Sequence, residues 1–277
     1  MPQRSVTQSD SSGGTAILSS LPGADGIMGL RTNFDLLVRK RRVNLLTHHK
    51  CASTWLLGVV NRIARENGLK YLHSQYGTAV PSRKHHVSLL INAIYPTVAP
   101  QLDVPSFHII RNPLSIIASA YYSHRTTHST EGWDVLEKQR ALLQSTDKTT
   151  GMMLTLAFLE AAEFYPGTPG PLHGLRTWNF DDGRIATIRM EDMVKDVPGF
   201  LRRLGASLGD GLVLPAADEF SFEAIAGRRV GQVNDSSHYR SGDAEGWRAE
   251  LPPAVVDYVW AQFTPLMERY YPEARPA

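Results

Sequence analysis

The chain is predicted to fold as an α/β protein, a single domain with a central, mostly parallel β-sheet flanked by helices. Three observations carry that prediction. A short apolar run, a polar loop and an amphipathic stretch follow one another more than once along the chain, which is the order of strand, loop and helix. The runs are short and mainly apolar, of the kind that forms strands buried on both faces. At 277 residues and 42% hydrophobic content the chain can cover both faces of such a sheet.

Residues 1–30 are rich in Ser, Gly, Thr and Asp. Such a composition cannot bury enough apolar surface to offset the entropy of ordering, so a flexible leader is expected ahead of a domain spanning 31–277. After the basic run Arg39 to Arg42, Val43 to Thr47 reads as a buried parallel strand. From Thr54 the residues Trp55, Leu56, Val59, Val60, Ile63 and Ala64 recur at helical spacing, and Gly68 follows as a C-cap. The pattern repeats at Ser106 to Ile110, where Pro113 opens a helical stretch from Leu114 to His124. Ile185 to Arg189 reads as a further strand, and Asp196-Val197-Pro198 as the cap and first turn of a helix through Leu204. Gly227 to Gly246 is a polar loop, and Pro252-Pro253 precedes a long helix to about Tyr270, bent at Pro265. Ligands of such a sheet bind beyond the carboxyl ends of its strands, so the loops after Thr47 and Ile110 are the expected seats of chemistry.

A formal net charge of +2 disfavours broad binding to nucleic acid or to an anionic membrane. Cys51 is the one cysteine, so no intrachain disulfide can form and a reducing compartment fits. The N-terminus has no basic segment followed by an apolar run, and no stretch approaches the ~18 apolar residues that cross a bilayer. The expected location is the cytoplasm.

In Thr47-His48-His49-Lys50-Cys51-Ala52-Ser53-Thr54-Trp55 a strand delivers a lysine and two hydroxyls to a helix N-terminus. Unpaired N–H groups and a partial positive charge there suit a phosphate or sulfate. The same residues also suit a plain capped helix with Lys50 in solvent. An ATP-binding G-x-x-x-x-G-K-[ST] loop is excluded, because the segment holds no glycine.

KCASTW resembles the 5′-phosphosulfate loop of sulfotransferases that use 3′-phosphoadenosine 5′-phosphosulfate (PAPS), typically K-[ST]-G-T-T-W. IIRNPLSIIASAYYSH resembles the 3′-phosphate motif of that family, and HYRSGDAEGW its C-terminal R-K-G-x-x-G-[DE]-W segment. FSFEAIA resembles a segment that lies along the adenine, and Arg189 to Met193 the family's Y-E-D-[ML]. The resemblance spans Val43 to the C-terminus and implies a P-loop-NTPase-like sulfotransferase fold. It implies that Lys50, Cys51, Ala52, Ser53 and Thr54 form the phosphosulfate loop with Trp55 beside the adenine. It assigns Arg111, Ser119, Arg240, Ser241 and Gly242 to the 3′-phosphate, and Phe222 with Ser221 to the base. Ala52, Met190 and Ser241 stand where the family has glycine, tyrosine and lysine.

The reaction so implied moves a sulfuryl group from PAPS to a hydroxyl or amine, leaving 3′-phosphoadenosine 5′-phosphate (PAP). Arg83-Lys84-His85-His86-Val87 resembles the family's K-T-H-[LV]-P, which points to His86 as base and Lys84 as a second cation beside Lys50. His85, His48, His49 and His124 compete for the role. Adjacent histidines on an extended chain point to opposite faces and Cys-x-x-Cys or His-Glu-x-x-His spacing is missing, so no metal is expected. The expected partner is a small, partly apolar acceptor, with no nucleic acid and no membrane. A kinase or NTPase of related fold, or a nucleotide-binding homologue impaired in catalysis, are the alternatives.

Overall fold

The computed structural model describes residues 41–276; the leader expected at 1–30 lies outside them. Five parallel strands form one sheet, β1 (Val43–Thr47), β2 (Tyr71–Ser74), β3 (Val87–Ile91), β4 (Ser106–Ile110) and β5 (Ile185–Arg189), in the spatial order β2-β3-β1-β4-β5. The helices are α1 (Ser53–Asn67), α2 (Tyr95–Val98), α3 (Pro113–Tyr122), α4 (Asp134–Ser145), α5 (Lys148–Glu160), α6 (Pro171–Arg176), α7 (Met190–Lys195), α8 (Val197–Leu208), α9 (Phe222–Ala226), α10 (Trp247–Glu250), α11 (Pro253–Gln262) and α12 (Thr264–Tyr270).

Alternation along the strands sorts the core into layers. Val43 and Leu45 of β1, Leu89 of β3 and Ile109 of β4 pack with Leu56, Val59 and Ile63 of α1 and Leu201 and Leu204 of α8. Leu46 and Leu90 point the other way, toward Val98 and Trp178, and Ile110 meets the layer of α3, α5, α6, α11 and α12. β1, β3 and β4 are buried along their whole length, as mainly apolar runs lead one to expect, and they carry Asn44, Thr47, Ser88, Ser106 and His108 into the interior with them. β2 is a partly exposed edge strand, and its YLHS gives no comparable signal.

The expected helix after Pro252 occurs as α11 and α12, broken at Phe263 just ahead of Pro265. Residues 227–246 form the expected irregular loop. Beyond Tyr122, α3 runs into a π-turn, Ser123–Thr127, closed by the bond from the His128 N–H to the Ser123 carbonyl. No helix among the described residues is long and apolar enough to cross a membrane.

Candidate active site

Because all five strands run in parallel, their carboxyl ends share one rim. A cavity of about 930 Å³ opens there, at the upper end of the range for small-molecule sites and wide enough for a nucleotide beside a second molecule.

The β1–α1 turn makes its floor. Thr47 Oγ1 donates to the Cys51 carbonyl at 2.8 Å, and Arg111 Nη1 donates to the Lys50 carbonyl at 3.0 Å. Lys50 and Ala52 adopt left-handed backbone, φ 66° and 61°, a conformation that usually falls to glycine. No side chain caps α1, so its first-turn N–H groups are left for a ligand. Lys50, Ala52, Ser53, Thr54 and Trp55 all line the cavity. Burial, reinforced by Arg111, lowers the Lys50 pKa to about 7; an anion beside it would restore the charge. Trp55 Nε1 donates to the Phe220 carbonyl at 2.9 Å, anchoring α1 to the segment ahead of α9.

Cys51 departs from expectation. Its side chain is fully buried and does not line the cavity, and burial pushes its thiol up to about 12. Its side chain fills core beneath the turn.

Arg111, Ser119, Arg240, Ser241 and Gly242 line the same cavity, as do Ser221 and Phe222. Asn112 caps α3 through its side chain, and Glu191 of the MED segment accepts from the Asn112 N–H at 3.0 Å, which fixes the start of α3. Ser115 Oγ donates to the Ala244 carbonyl at 2.8 Å, tying α3 to the C-terminal loop. Arg240 lies over the Tyr122 ring at 3.6 Å and pairs with Asp235 and Glu250. Gly242 has φ +65°, and a Cβ there would meet Phe222 Cδ2 at 2.5 Å. Ser221 caps α9 with its hydroxyl, and the Arg228 guanidinium lies over Phe222 while donating to the carbonyls of Tyr239 and Arg240.

Lys84 and His86 are elsewhere, and so is His85. They precede β3, at the amino end of the sheet, and none lines the cavity. His86 Nδ1 accepts from the Lys70 N–H, and His85 Nδ1 lies 2.7 Å from Ser82 Oγ. The direction of β3 is the physical reason: a residue ahead of a parallel strand sits at the end opposite the rim. Asn92, which follows β3, does line the cavity, and its side chain accepts from the His49 N–H.

Four histidines feel the charge of Lys50, namely His49, His124, His128 and His238, and the first three cluster together. His49 and His124 approach Nε2 to Nε2 at 2.8 Å, and one nitrogen of each of the three lies within 4.8 Å of the others. Trp133 and Phe164 pack edge-on and tilted against them. Burial depresses all three and Lys50 adds to it; His49 is lowered further by His124 and His128, His124 by His128, and His128 stands at about 4. They are neutral imidazoles near pH 7. The i, i+4 spacing of His124 and His128 and the position of His49 beside Lys50 were the signals available in the sequence. His48 is different again, buried with its Nε2 2.8 Å from His108 Nε2 in the core beside Trp178.

A sulfotransferase domain model matches residues 101–270, more than half of the chain. The match begins beyond the Lys50 turn and contains Arg111, Ser119 and Arg240. Among solved structures, a mouse sulfotransferase complexed with PAP aligns at a TM-score of 0.56, with 17% identity over 86% of this chain and 88% of that one. Retinol dehydratase in complex with androsterone and the inactive cofactor PAP aligns at 0.49, with 13% identity over 81% of this chain and 80% of that one. No curated protein sequence matches. With its strand order, its nucleotide-sized cavity and that domain match in agreement, the chain belongs to the sulfotransferase domain family.

Proposed function

We propose that the chain transfers a sulfuryl group from PAPS to the hydroxyl or amine of a small acceptor. One observation carries the reading: Lys50 with the uncapped start of α1, and Arg111, Ser119 and Arg240 from distant segments, border a single cavity. Two clusters of anion-binding groups in one cleft suit a nucleotide with phosphates at both the 5′ and 3′ positions. The PAP bound to the mouse sulfotransferase supports the same choice.

On this reading the acceptor lies against His49, His128, Trp133 and Phe164, which line the cavity. Its oxygen or nitrogen forms the new bond to sulfur while the bond from sulfur to the 5′-phosphate oxygen breaks, and its proton passes to a neutral imidazole of the cluster. Lys50 meets the charge that grows on the departing phosphate. The aromatic wall favours a small, partly apolar acceptor.

Transfer of labelled sulfate from PAPS to a phenol tests the reading. Lys50→Ala is expected to lower kcat by about 10²–10³-fold and His49→Ala by about 10²-fold, while His86→Ala stays near the parent rate. Loss of activity in His86→Ala with full activity in His49→Ala would return the base to the segment before β3. Turnover of ATP in place of PAPS would overturn the function itself.

A further inference from the structure

We infer that His49, His124 and His128 form a binding site for one divalent transition-metal ion of the zinc class, at the acceptor side of the cavity. Sulfuryl transfer as proposed above needs no metal, so this site is an addition particular to the chain. It reverses the expectation drawn from local spacing, because its ligands come from two segments 75 residues apart, joined only by the fold.

The geometry is that of ligands around a common point. An ion held tetrahedrally by ring nitrogens at about 2.0–2.1 Å sets imidazole centroids about 5 Å apart. Here the centroid separations are 5.0 Å for His49 and His124, 5.0 Å for His49 and His128, and 5.5 Å for His124 and His128. The Nε2 pair of His49 and His124, now 2.8 Å apart, opens by about half an ångström to accept the ion. His128 Nδ1 lies 3.1 Å from the Ser129 carbonyl, which keeps the proton on Nδ1 and leaves the Nε2 lone pair directed away from the backbone.

The support around the ligands is equally specific. Arg140 of α4 donates to the carbonyls of both His124 and His128, and Gln144 to that of Arg125, so α4 splints the π-turn that carries two of the three ligands. His49 is held from behind by the bond from its N–H to Asn92 Oδ1. Three neutral nitrogens on a braced frame, walled by Trp133 and Phe164, are soft enough for zinc or cobalt and lack the oxygens that magnesium or calcium require. With three protein ligands the fourth position stays open toward the cavity.

A metal and a proton compete for the same lone pairs. Because the proposed transfer uses those lone pairs, the loaded chain is expected to be the slower enzyme; this consequence rests on the function proposed above.

Calorimetry of Zn²⁺ into the chelator-stripped full chain tests the site, with Co²⁺ as a visible probe. The expected result is one saturable equivalent, and a tetrahedral d–d spectrum for Co²⁺. His124→Ala and, at the cavity rim, His128→Ala should each weaken binding by at least about 100-fold, beyond the 10–100-fold typical of losing an outer-shell partner, while His173→Ala changes nothing. Absence of stoichiometric binding, or binding indifferent to both cluster substitutions, overturns the site. PAP binding measured on the same stripped protein separates the two claims: retained PAP affinity without zinc binding removes the metal site alone, and zinc binding without PAP affinity removes the function alone.

Discussion

Arg111→Ala offers the sharpest reading of the cavity, because Arg111 does two separable things. Its guanidinium holds the Lys50 carbonyl at 3.0 Å, and Arg111 lines the same cavity as Ser119 and Arg240. A charge-assisted hydrogen bond to phosphate contributes about 1.5–3 kcal/mol, or roughly 10–150-fold in affinity. The bond to the Lys50 carbonyl, at about 1 kcal/mol, steadies the turn for any 5′-phosphate and accounts for roughly fivefold. PAP and AMP share the second contribution and differ in the first. Calorimetry should therefore give PAP binding far tighter than AMP in the parent chain. Arg111→Ala should weaken AMP about fivefold and cut the PAP-to-AMP ratio by about 10–150-fold. A parent that binds PAP and AMP equally, or a ratio that survives the substitution, would remove the 3′-phosphate site and the PAPS reading with it.

Ala52→Gly should raise stability by up to about 1 kcal/mol, since it relieves about 1–2 kcal/mol of left-handed strain at φ 61° and returns some through added unfolded-state entropy; an unchanged or lower Tm would refute the strain. Gly242→Ala should weaken PAP and AMP alike by about tenfold, because the new Cβ displaces Phe222 at 2.5 Å from a left-handed position. A selective loss of PAP would place Phe222 away from the base. Glu250 is pushed up by burial, yet hydrogen bonds from Lys148, Tyr122 and Arg240 outweigh that and hold it at about 2. Its stabilisation is full above its ordinary value of 4.5 and is lost as pH falls toward 2, so Glu250→Gln should flatten the acid side of the Tm profile. Matching profiles for parent and variant would show that the network contributes nothing to stability.

What was legible in the sequence depended on contiguity. Val43 to Thr47 with α1, and Ser106 to Ile110 with α3, declare themselves through short, mainly apolar runs followed by helix openings within a few residues. β3 is as apolar as either, but the charged segment 83–86 in front of it drew the chemistry to the wrong end of the strand. Strand direction, not residue type, decides that His86 is remote and Asn92 near. β2 pairs on one side only, with β3, so half-burial suffices and its sequence carries no apolar run. Lys50, Arg111, Ser119 and Arg240, which all line the cavity, could be picked out because each sits in its own local motif. The histidine cluster was not, since no local spacing joins His49 to His124.

The π-turn at Ser123–Thr127 gives the acceptor side a vulnerability that side-chain chemistry alone would not suggest. A wide turn differs from an ordinary helical turn by a single residue, and each residue of α-helix is about 100° of rotation. Loss of one codon between His124 and His128 would leave every side chain type in place, yet swing whatever follows by about that angle and carry His128 off the face it shares with His49. Arg140, aimed at two carbonyls of the turn, would lose its register with it. The length of this segment, as much as its composition, is therefore a heritable determinant of what the cavity can hold.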